Sequence, residues 1–308
     1  MASQLSIAPY ISHIIPPTTL QGIAKQWLAE DVPSFDIAAC VVGDKPEECV
    51  LLCKSPGVLC GVPFFNAVFQ QLNCDVTWFI AEGTYIDDTP SRIAVVKGPA
   101  SCILQGERPA LNCIARASGI ATHARELRRI REEYTWEGQI AGTRKTTPGF
   151  RLVEKYALLI GGISTHRYDL SSMVMLKDNH IWSMGSISAA VKRTREIGGF
   201  SIKIEVECRS IEEAIEAAKS GADIAMLDNW SPDSAKTAAE QLKNDFPHLI
   251  IECSGGIRKD NCHLYFSQNI DVVSMSSTTQ GYGVVDFSLK VKRDDIDITN
   301  PLRDRIKQ

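Results

Sequence analysis

From residue 138 onward, short apolar runs of strand length alternate with segments of helical periodicity. The strand candidates are "GQIAG", "MVMLK", "SIKIEVEC", "ADIAMLDN", "LIIECSGG" and "DVVSMSS". Strands separated by helices run parallel, because the intervening helix carries the chain back to the edge where the previous strand began. Six such units predict a closed or nearly closed α/β barrel.

Helix boundary signals agree with this alternation. Pro148 is suited to starting the helix "GFRLVEKYALLI", which the Gly161–Gly162 pair ends. A later helix begins after Ser210, with Glu213 at capping-box spacing, and a further one begins at Ser231–Pro232. These signals place a helix between most pairs of predicted strands.

The region before residue 107 follows a different pattern. Residues 36–106 contain the β-rich runs "DIAACVV", "CVLLCK", "VTWFIAE" and "RIAVVKG", together with a helix candidate, "GVPFFNAVFQQL". We therefore expect an α+β unit with an antiparallel sheet. Residues 108–133 have helical periodicity and a basic outer face, which predicts a long connecting helix. The charged C-terminal tail, "KRDDIDITNPLRDRIKQ", is expected at the surface or partly disordered.

Charge and cysteine content limit the possible partners and compartment. A net charge of −4 and a pI near 5.9 argue against broad attraction to nucleic acid or to an anionic membrane, so a bound anion should be small. The first twenty residues lack a secretory signal pattern, and no apolar run has membrane-spanning length. Ten cysteines without a C-x-x-C pair predict buried, reduced thiols and a cytosolic protein.

Polar residues follow the predicted strands where a barrel collects its reacting groups, at the C-terminal strand ends. Each has a simple alternative: Lys177 as a solvated side chain, Asp228 as a helix cap, or Gly255–Gly256 as a turn. Together they combine cations, two acids and a glycine loop, which predicts a site for an anion with a metal. The strand-end and loop residues are Arg144, Lys145, His166, Arg167, Lys177, Glu207, Asp228, Ser254, Gly255, Gly256 and Ser276.

The residue types suggest what each part would bind. Arg144 and Arg167 can each hold a carboxylate through two parallel hydrogen bonds, and the lysines add compact positive charges. The backbone N–H groups of Ser254–Gly256 suit a phosphate. Glu207 and Asp228 offer oxygens to Mg²⁺, usually through water, or to sugar hydroxyls. Glu205 lies deeper on the Glu207 face and is expected to have a structural or supporting role. His180 either orients Lys177 or caps its loop.

Residues 20–292 resemble the quinolinate phosphoribosyltransferase family. The motifs that carry the resemblance, in the family's order, are "ERPALNCIARASGIAT", "AGTRKTTPGFRLVEKYALLIGG", "HRYDLSSMVMLKDNH", "IEVEC", "GADIAMLDN", "ECSGGI" and "DFSLKV". The resemblance implies a type II phosphoribosyltransferase fold, in which an N-terminal α/β sandwich with an antiparallel sheet precedes an open α/β barrel. We assign residues 1–120 to the sandwich, completed by about 282–308, and residues 121–281 to the barrel with the active site.

The resemblance also implies roles for individual residues. Arg144, Lys145, His166, Arg167 and Lys177 would surround the two carboxylates of quinolinate, with Arg108 reaching across a homodimer interface. The ribose and Mg²⁺ of phosphoribosyl pyrophosphate would lie at Glu207 and Asp228, and its 5-phosphate at Ser254, Gly255 and Gly256. Lys145, Lys177, Glu207 and Asp228 form the implied catalytic set.

The implied reaction is a pentosyl transfer that gives nicotinate mononucleotide, pyrophosphate and CO₂ in de novo NAD biosynthesis. A hexamer of three dimers and a cytoplasmic location, with the nucleus as a second compartment, are further implications. The phosphate role of Ser276 stays open, because bacterial relatives tend to have glycine there. Two other functions are weighed: an aldolase that uses Lys177 as a Schiff-base nucleophile, and a non-catalytic sensor of a phosphorylated metabolite.

Overall fold

A computed structural model describes residue 11 and residues 13–293. Most of the charged tail, residues 294–308, lies outside the described residues. The helices are α1 (Pro17–Asp31), α2 (Ile37–Val42), α3 (Val62–Gln71), α4 (Ala100–Glu133), α5 (Arg151–Gly161), α6 (Asp178–Met184), α7 (Ile187–Gly198), α8 (Ile211–Lys219) and α9 (Pro232–Asp245). The strands are β1 (Pro46–Cys53), β2 (Gly57–Val58), β3 (Asp75–Trp78), β4 (Tyr85–Ile86), β5 (Ser91–Pro99), β6 (Gln139–Ala141), β7 (Val174–Leu176), β8 (Ile204–Cys208), β9 (Ile224–Asp228), β10 (Ile250–Ser254), β11 (Val272–Ser274) and β12 (Phe287–Val291).

The chain divides into two compact units. Within the described residues, the first comprises residues 11, 13–125, 152–162 and 282–293, and the second comprises residues 126–151 and 163–281. All of helix α5 except Arg151 therefore belongs to the first unit, although the helix lies within the range 121–281 that the sequence assigns to the barrel.

The first unit is built on a four-stranded antiparallel sheet in the order β12-β1-β5-β3. Leu51 pairs with Leu289 on one side and with Ala94 on the other, so the chain's late strand β12 completes the early sheet. The apolar face of this sheet packs against α3, where Phe65 and Phe69 are fully buried. This is the antiparallel unit that the sequence predicts.

The prediction of a strand at "DIAACVV" is wrong, because this segment forms α2. The Asp36 side chain accepts a hydrogen bond from the Ala39 N–H at 3.0 Å, which caps the helix N-terminus. Gly43, with φ of +66°, ends the helix in a conformation that glycine adopts easily. Ile37 and Val41 are 80% and 83% exposed, so no sheet stabilises the β-branched residues of this segment.

Helix α4 begins eight residues before the predicted start at 108. Pro109, next to the predicted start, lies inside the helix. An internal proline costs about 3 kcal/mol because it removes one hydrogen bond and crowds the preceding turn. Burial of Ile103, Ala110 and Ile114 in the first unit's core offsets this cost.

The second unit contains six parallel strands in the order β6-β11-β10-β9-β8-β7. All six strands are predicted from the sequence. Within the described residues no ladder joins β6 to β7, so the sheet is open, as in the expected open barrel. The short helix α6 was not predicted, and it directly follows Lys177.

The cysteines match the prediction of reduced thiols. All ten are free; eight are buried, Cys102 is half-buried and Cys40 is exposed. Among the described residues, no helix combines the length and apolar character needed to cross a membrane.

Candidate active site

The register of the parallel sheet aligns the predicted site residues at one edge. Ser254 at the end of β10 pairs with Asp228 at the end of β9. Leu176 pairs with Val206, so the next residues along β7 and β8, Lys177 and Glu207, also lie side by side. Paired residues of parallel strands point to the same face, and Glu207 pairs with Met226, two residues before Asp228. These four side chains therefore share a face at the carboxyl edge.

Lys177 and Glu207 form an ion pair with 2.7 Å between Nζ and Oε2. The lysine side chain is 44% exposed and the glutamate side chain 20% exposed. His180 accepts a hydrogen bond from the Lys177 backbone N–H at its Nδ1, at 3.1 Å. This bond caps the start of α6 and, because its donor is Lys177, also holds that residue's backbone, which serves both roles considered for His180.

Asp228 belongs to the same charged group. Its pKa is raised by burial first and by the Glu207 charge second, while Lys177 lowers it. The Asn229 side chain donates a hydrogen bond of 2.6 Å to Asp228 Oδ2. Two carboxylates therefore lie close together with one lysine beside them.

The glycine loop after β10 packs against Asn229. A Cβ atom added at Gly255 would lie 2.3 Å from Asn229 Oδ1, and the φ of Gly255 is +93°. No larger residue fits this backbone without moving Asn229. A Cβ added at Gly256 would meet nothing within 4 Å, so the backbone there is open to an approaching ligand.

Arg144 and Lys145 lie in the loop that follows β6. Thr279 donates a hydrogen bond to the Lys145 carbonyl at 2.8 Å, which ties this loop to the segment after β11. Within the described part of the chain, the buried Nε of Arg144 has no hydrogen-bond partner. Lys145 is exposed to solvent.

Arg167 lies near Arg144, although both are cations. Burial lowers the pKa of Arg167, and the Arg144 charge lowers it further. The Arg167 guanidinium donates a hydrogen bond to the Met173 carbonyl at 3.2 Å. Two guanidinium groups held together in a half-buried position repel each other, and a bound anion would relieve that repulsion.

The His166 ring faces two buried carboxylates, those of Glu252 and Glu205. Its Nε2 lies 3.0 Å from Glu252 Oε2 and 3.8 Å from Glu205 Oε2. Glu205 is fully buried, and its pKa is raised by burial and then by the Glu252 charge. Among the described residues, one set of three potential ligand residues has its atoms within 4.8 Å: His166, Glu205 and Glu252.

The structure thus brings together most of the predicted site residues. The Lys177 charge lowers the pKa of both Glu205 and Asp228, and the Arg167 charge lowers the pKa of Glu205. These cations and acids therefore form one electrostatic group. Ser276 opens a short 3₁₀ turn directly after this edge. Arg108 lies on α4 in the first unit, and its predicted cross-subunit role stays a prediction.

Glu252 is a site residue that the sequence analysis missed. The sequence analysis treated Glu252 only as part of an apolar strand, "LIIEC". Residues two apart on a strand point to the same face, so Glu252 shares the face of Ser254 on β10. An acidic residue between Ile251 and Cys253, both buried, was the available signal.

Two family models match this chain. The quinolinate phosphoribosyl transferase N-terminal domain matches residues 35–118, and the C-terminal domain of the same family matches residues 120–290. Among curated proteins, the chain is 49% identical to a human protein called nicotinate-nucleotide pyrophosphorylase [carboxylating], over 91% of this chain and 94% of that protein. A Dictyostelium discoideum protein of the same name is 48% identical, with 92% and 99% covered.

Solved structures are similar over the same range. The nicotinate-nucleotide pyrophosphorylase of Francisella tularensis aligns with a TM-score of 0.82 at 31% identity, covering 90% of this chain and 98% of that one. The corresponding protein of Ehrlichia chaffeensis aligns with a TM-score of 0.80 at 28% identity, with 88% and 98% covered. Because the family models span both units and the curated relatives are aligned over nearly their whole length, this chain belongs to the quinolinate phosphoribosyltransferase family.

Proposed function

We propose that this protein transfers the phosphoribosyl group of phosphoribosyl pyrophosphate to quinolinate and releases CO₂, giving nicotinate mononucleotide and pyrophosphate for de novo NAD biosynthesis. Family membership supports this activity, since the curated relatives are named for it. The observation that carries the proposal is the half-buried pair of like charges, Arg144 and Arg167, because it suits a small diacid.

In the proposed complex, the cations surround the two carboxylates of quinolinate. Arg144 and Arg167 hold one carboxylate each, and Lys145, Lys177 and His166 complete the enclosure. A charge-assisted hydrogen bond contributes about 1.5–3 kcal/mol, so two arginine contacts suffice to select a diacid over a monoacid.

The sugar phosphate is proposed to lie over the neighbouring strand ends. Glu207 and Asp228 bind the ribose hydroxyls and Mg²⁺, and Ser254, Gly255 and Gly256 bind the 5-phosphate through backbone N–H groups. Ser276 follows the next strand, β11, on the phosphate side. Mg²⁺ fits this donor set, because the Glu207 charge helps to raise the Asp228 pKa and a divalent cation would remove that repulsion.

The chemistry then requires electrostatic stabilisation rather than a covalent enzyme intermediate. The pyridine nitrogen forms a bond to ribose C1 as the bond from C1 to pyrophosphate breaks, and Lys145 and Lys177 stabilise the charge that develops on the leaving group. Mg²⁺, when bound, neutralises part of the pyrophosphate charge. The ring nitrogen becomes cationic, so that loss of CO₂ leaves an electron pair on the adjacent carbon, which then takes up a proton.

An assay with quinolinate, phosphoribosyl pyrophosphate and Mg²⁺ tests the activity. Purified protein should release CO₂ from the carboxylate next to the ring nitrogen and form nicotinate mononucleotide in equal amount. Nicotinate is the matched control substrate, because it lacks that carboxylate. Absence of turnover, or equal turnover of nicotinate, would exclude the proposed activity.

We also propose a homodimer in which Arg108 completes the neighbour's site, three such dimers forming a hexamer, in the cytoplasm and the nucleus. Neither a nucleic acid nor a membrane is a proposed partner. Mixing the Arg108→Ala and Arg144→Ala proteins, at a quinolinate concentration too low for either variant alone, tests the shared site, since each mixed dimer would regain one complete site. Equal mixing should restore about a quarter of the wild-type activity. No recovery, with subunit exchange demonstrated by mass spectrometry, would contradict the sharing of Arg108.

A further inference from the structure

Glu252 is linked by hydrogen bonds to both parts of the proposed site, the part for the diacid and the part for the phosphate. Its side chain is 2% exposed, and it accepts hydrogen bonds from His166 Nε2 at 3.0 Å and from Ser274 Oγ at 2.6 Å. Ser274 Oγ also lies 3.1 Å from Ser254 Oγ, in the loop proposed to bind phosphate. A single buried carboxylate therefore contacts the diacid side through His166 and the phosphate side through Ser274.

The hydrogen bonds of His166 identify its tautomer. The Arg167 backbone N–H points at His166 Nδ1 from 2.8 Å, so Nδ1 is the acceptor and carries no proton. The ring proton is then on Nε2, where it is donated to Glu252. Both ring nitrogens are thus engaged within the protein.

The same tautomer disfavours a metal ion among His166, Glu205 and Glu252. A metal would need the lone pair of Nε2, which would shift the ring proton to Nδ1. That proton would oppose the Arg167 N–H at 2.8 Å. This cluster is better described as a hydrogen-bonded support than as a cation site.

The backbone of His166 needs such a support. Its φ is +57°, a left-handed conformation that costs a residue with a side chain about 1–2 kcal/mol. The His166 ring donates one hydrogen bond to Glu252 and accepts another from the Arg167 N–H. These two bonds hold the turn in place. Arg167 directly follows this turn, so the conformation of His166 helps to set the direction of its side chain, together with the hydrogen bond to the Met173 carbonyl.

We infer that Glu252 is a positioning residue that, through His166, aims the Arg167 guanidinium at a carboxylate of the substrate. This role rests on the proposed binding of a diacid at Arg144 and Arg167. It also specifies how His166 takes part in the proposed enclosure: with both ring nitrogens bonded within the protein, His166 supports Arg167.

The first test measures ligand binding without turnover. Benzene-1,2-dicarboxylate serves as the diacid probe, and its affinity for full-length protein is measured by calorimetry for wild type and Glu252→Gln. The glutamine variant keeps the shape of the side chain and removes its charge. We expect the diacid affinity to fall about tenfold or more, with a smaller effect on benzoate, which has one carboxylate.

Glu82→Gln is the matched control. Glu82 is a carboxylate in the first unit that also accepts several hydrogen bonds, from the N–H groups of Gly61 and Val62 and from the Tyr156 hydroxyl. Its substitution should lower the melting temperature and leave the ratio of diacid to monoacid affinity unchanged. A Glu252→Gln protein that loses only thermal stability would overturn the inference.

A double-mutant cycle tests whether Glu252 acts through His166. Glycine adopts a positive φ without strain, so His166→Gly keeps the turn accessible while it removes the ring. In that background, Glu252→Gln should no longer change the diacid affinity. An equal loss in both backgrounds would refute action through His166. If wild type neither binds the probe nor turns over quinolinate, the proposed function itself fails, which is a different outcome.

Discussion

Lys177 Nζ lies 2.7 Å from Glu207 Oε2, and the pair joins the ends of the neighbouring strands β7 and β8. Lys177 is 44% exposed and lies beside an anion, so it offers a ligand a compact positive charge. A Schiff-base lysine, by contrast, must be able to give up its proton to become a nucleophile. The pairing therefore favours anion binding over an aldolase reaction at Lys177.

Substitutions of Lys177 distinguish these two roles. Lys177→Met removes the charge and should lower turnover and quinolinate affinity by about tenfold or more. Lys177→Arg keeps the charge and should retain measurable activity, although its geometry differs. Steady-state kinetics of both variants provide the comparison. An adduct trapped by borohydride at Lys177, with both variants inactive, would favour the aldolase.

The pair of arginines, Arg144 and Arg167, predicts that quinolinate affinity falls when either side chain is removed. Arg144→Ala and Arg167→Ala should each weaken quinolinate binding by about 10-fold to 100-fold, because each removes a charge-assisted contact. Arg193→Ala is the control, since Arg193 forms an exposed pair with Glu196 on α7. Titration calorimetry measures all three variants. Near-normal quinolinate affinity in both test variants would mean that the diacid binds elsewhere.

The strand ends of the second unit could be predicted because parallel strands follow simple rules. Each of the six strands is a short apolar run, and the residue after the run falls at the carboxyl edge. Lys177, Glu207, Asp228 and Ser254 follow directly from this geometry. The segment "DIAACVV" was misread because its β-branched residues outweighed the cap at Asp36, whose effect depends on a single hydrogen bond.

The support beneath the site could not be predicted in the same way. Glu252 contacts His166, which is 86 residues away in the chain and lies in a loop without regular structure. The positive φ of His166 also has no sequence signal comparable to a glycine. Contacts of this kind depend on the path of a loop, and residue spacing does not specify that path.

Burial of the thiols predicts which cysteine reacts. Burial raises the pKa of Cys49 and of Cys253 to about 12, and the thiolate is the reactive form. Cys40 is exposed on α2, so it should account for the fast phase when native protein reacts with an aromatic disulfide reagent at pH 8. All ten thiols should react after denaturation. A fast phase that persists in Cys40→Ser would contradict this assignment.

The Asp228 carboxyl links stability to pH. Burial and the Glu207 charge raise its pKa in the folded protein, so the folded state binds more protons than the unfolded state between the two pKa values. Stability therefore falls as pH rises through that range, and the penalty persists at neutral pH. Asp228→Asn removes the charge and should make the ligand-free protein more stable than wild type at pH 7. The gain should disappear as pH falls below the unfolded pKa of about 4.

The same substitution should weaken the proposed Mg²⁺ site. Adding Mg²⁺ with phosphoribosyl pyrophosphate should raise the melting temperature of wild type more than that of Asp228→Asn, because at a given ligand concentration a ligand that binds more tightly stabilises the folded state more. Thermal unfolding at pH 4 and pH 7, with and without both ligands, measures both effects. Asp233→Asn is the control, since Asp233 lies in the first turn of α9, outside the proposed site. A variant that is less stable at pH 7, yet equally stabilised by the ligands, would show that Asp228 neither repels Glu207 nor serves the metal.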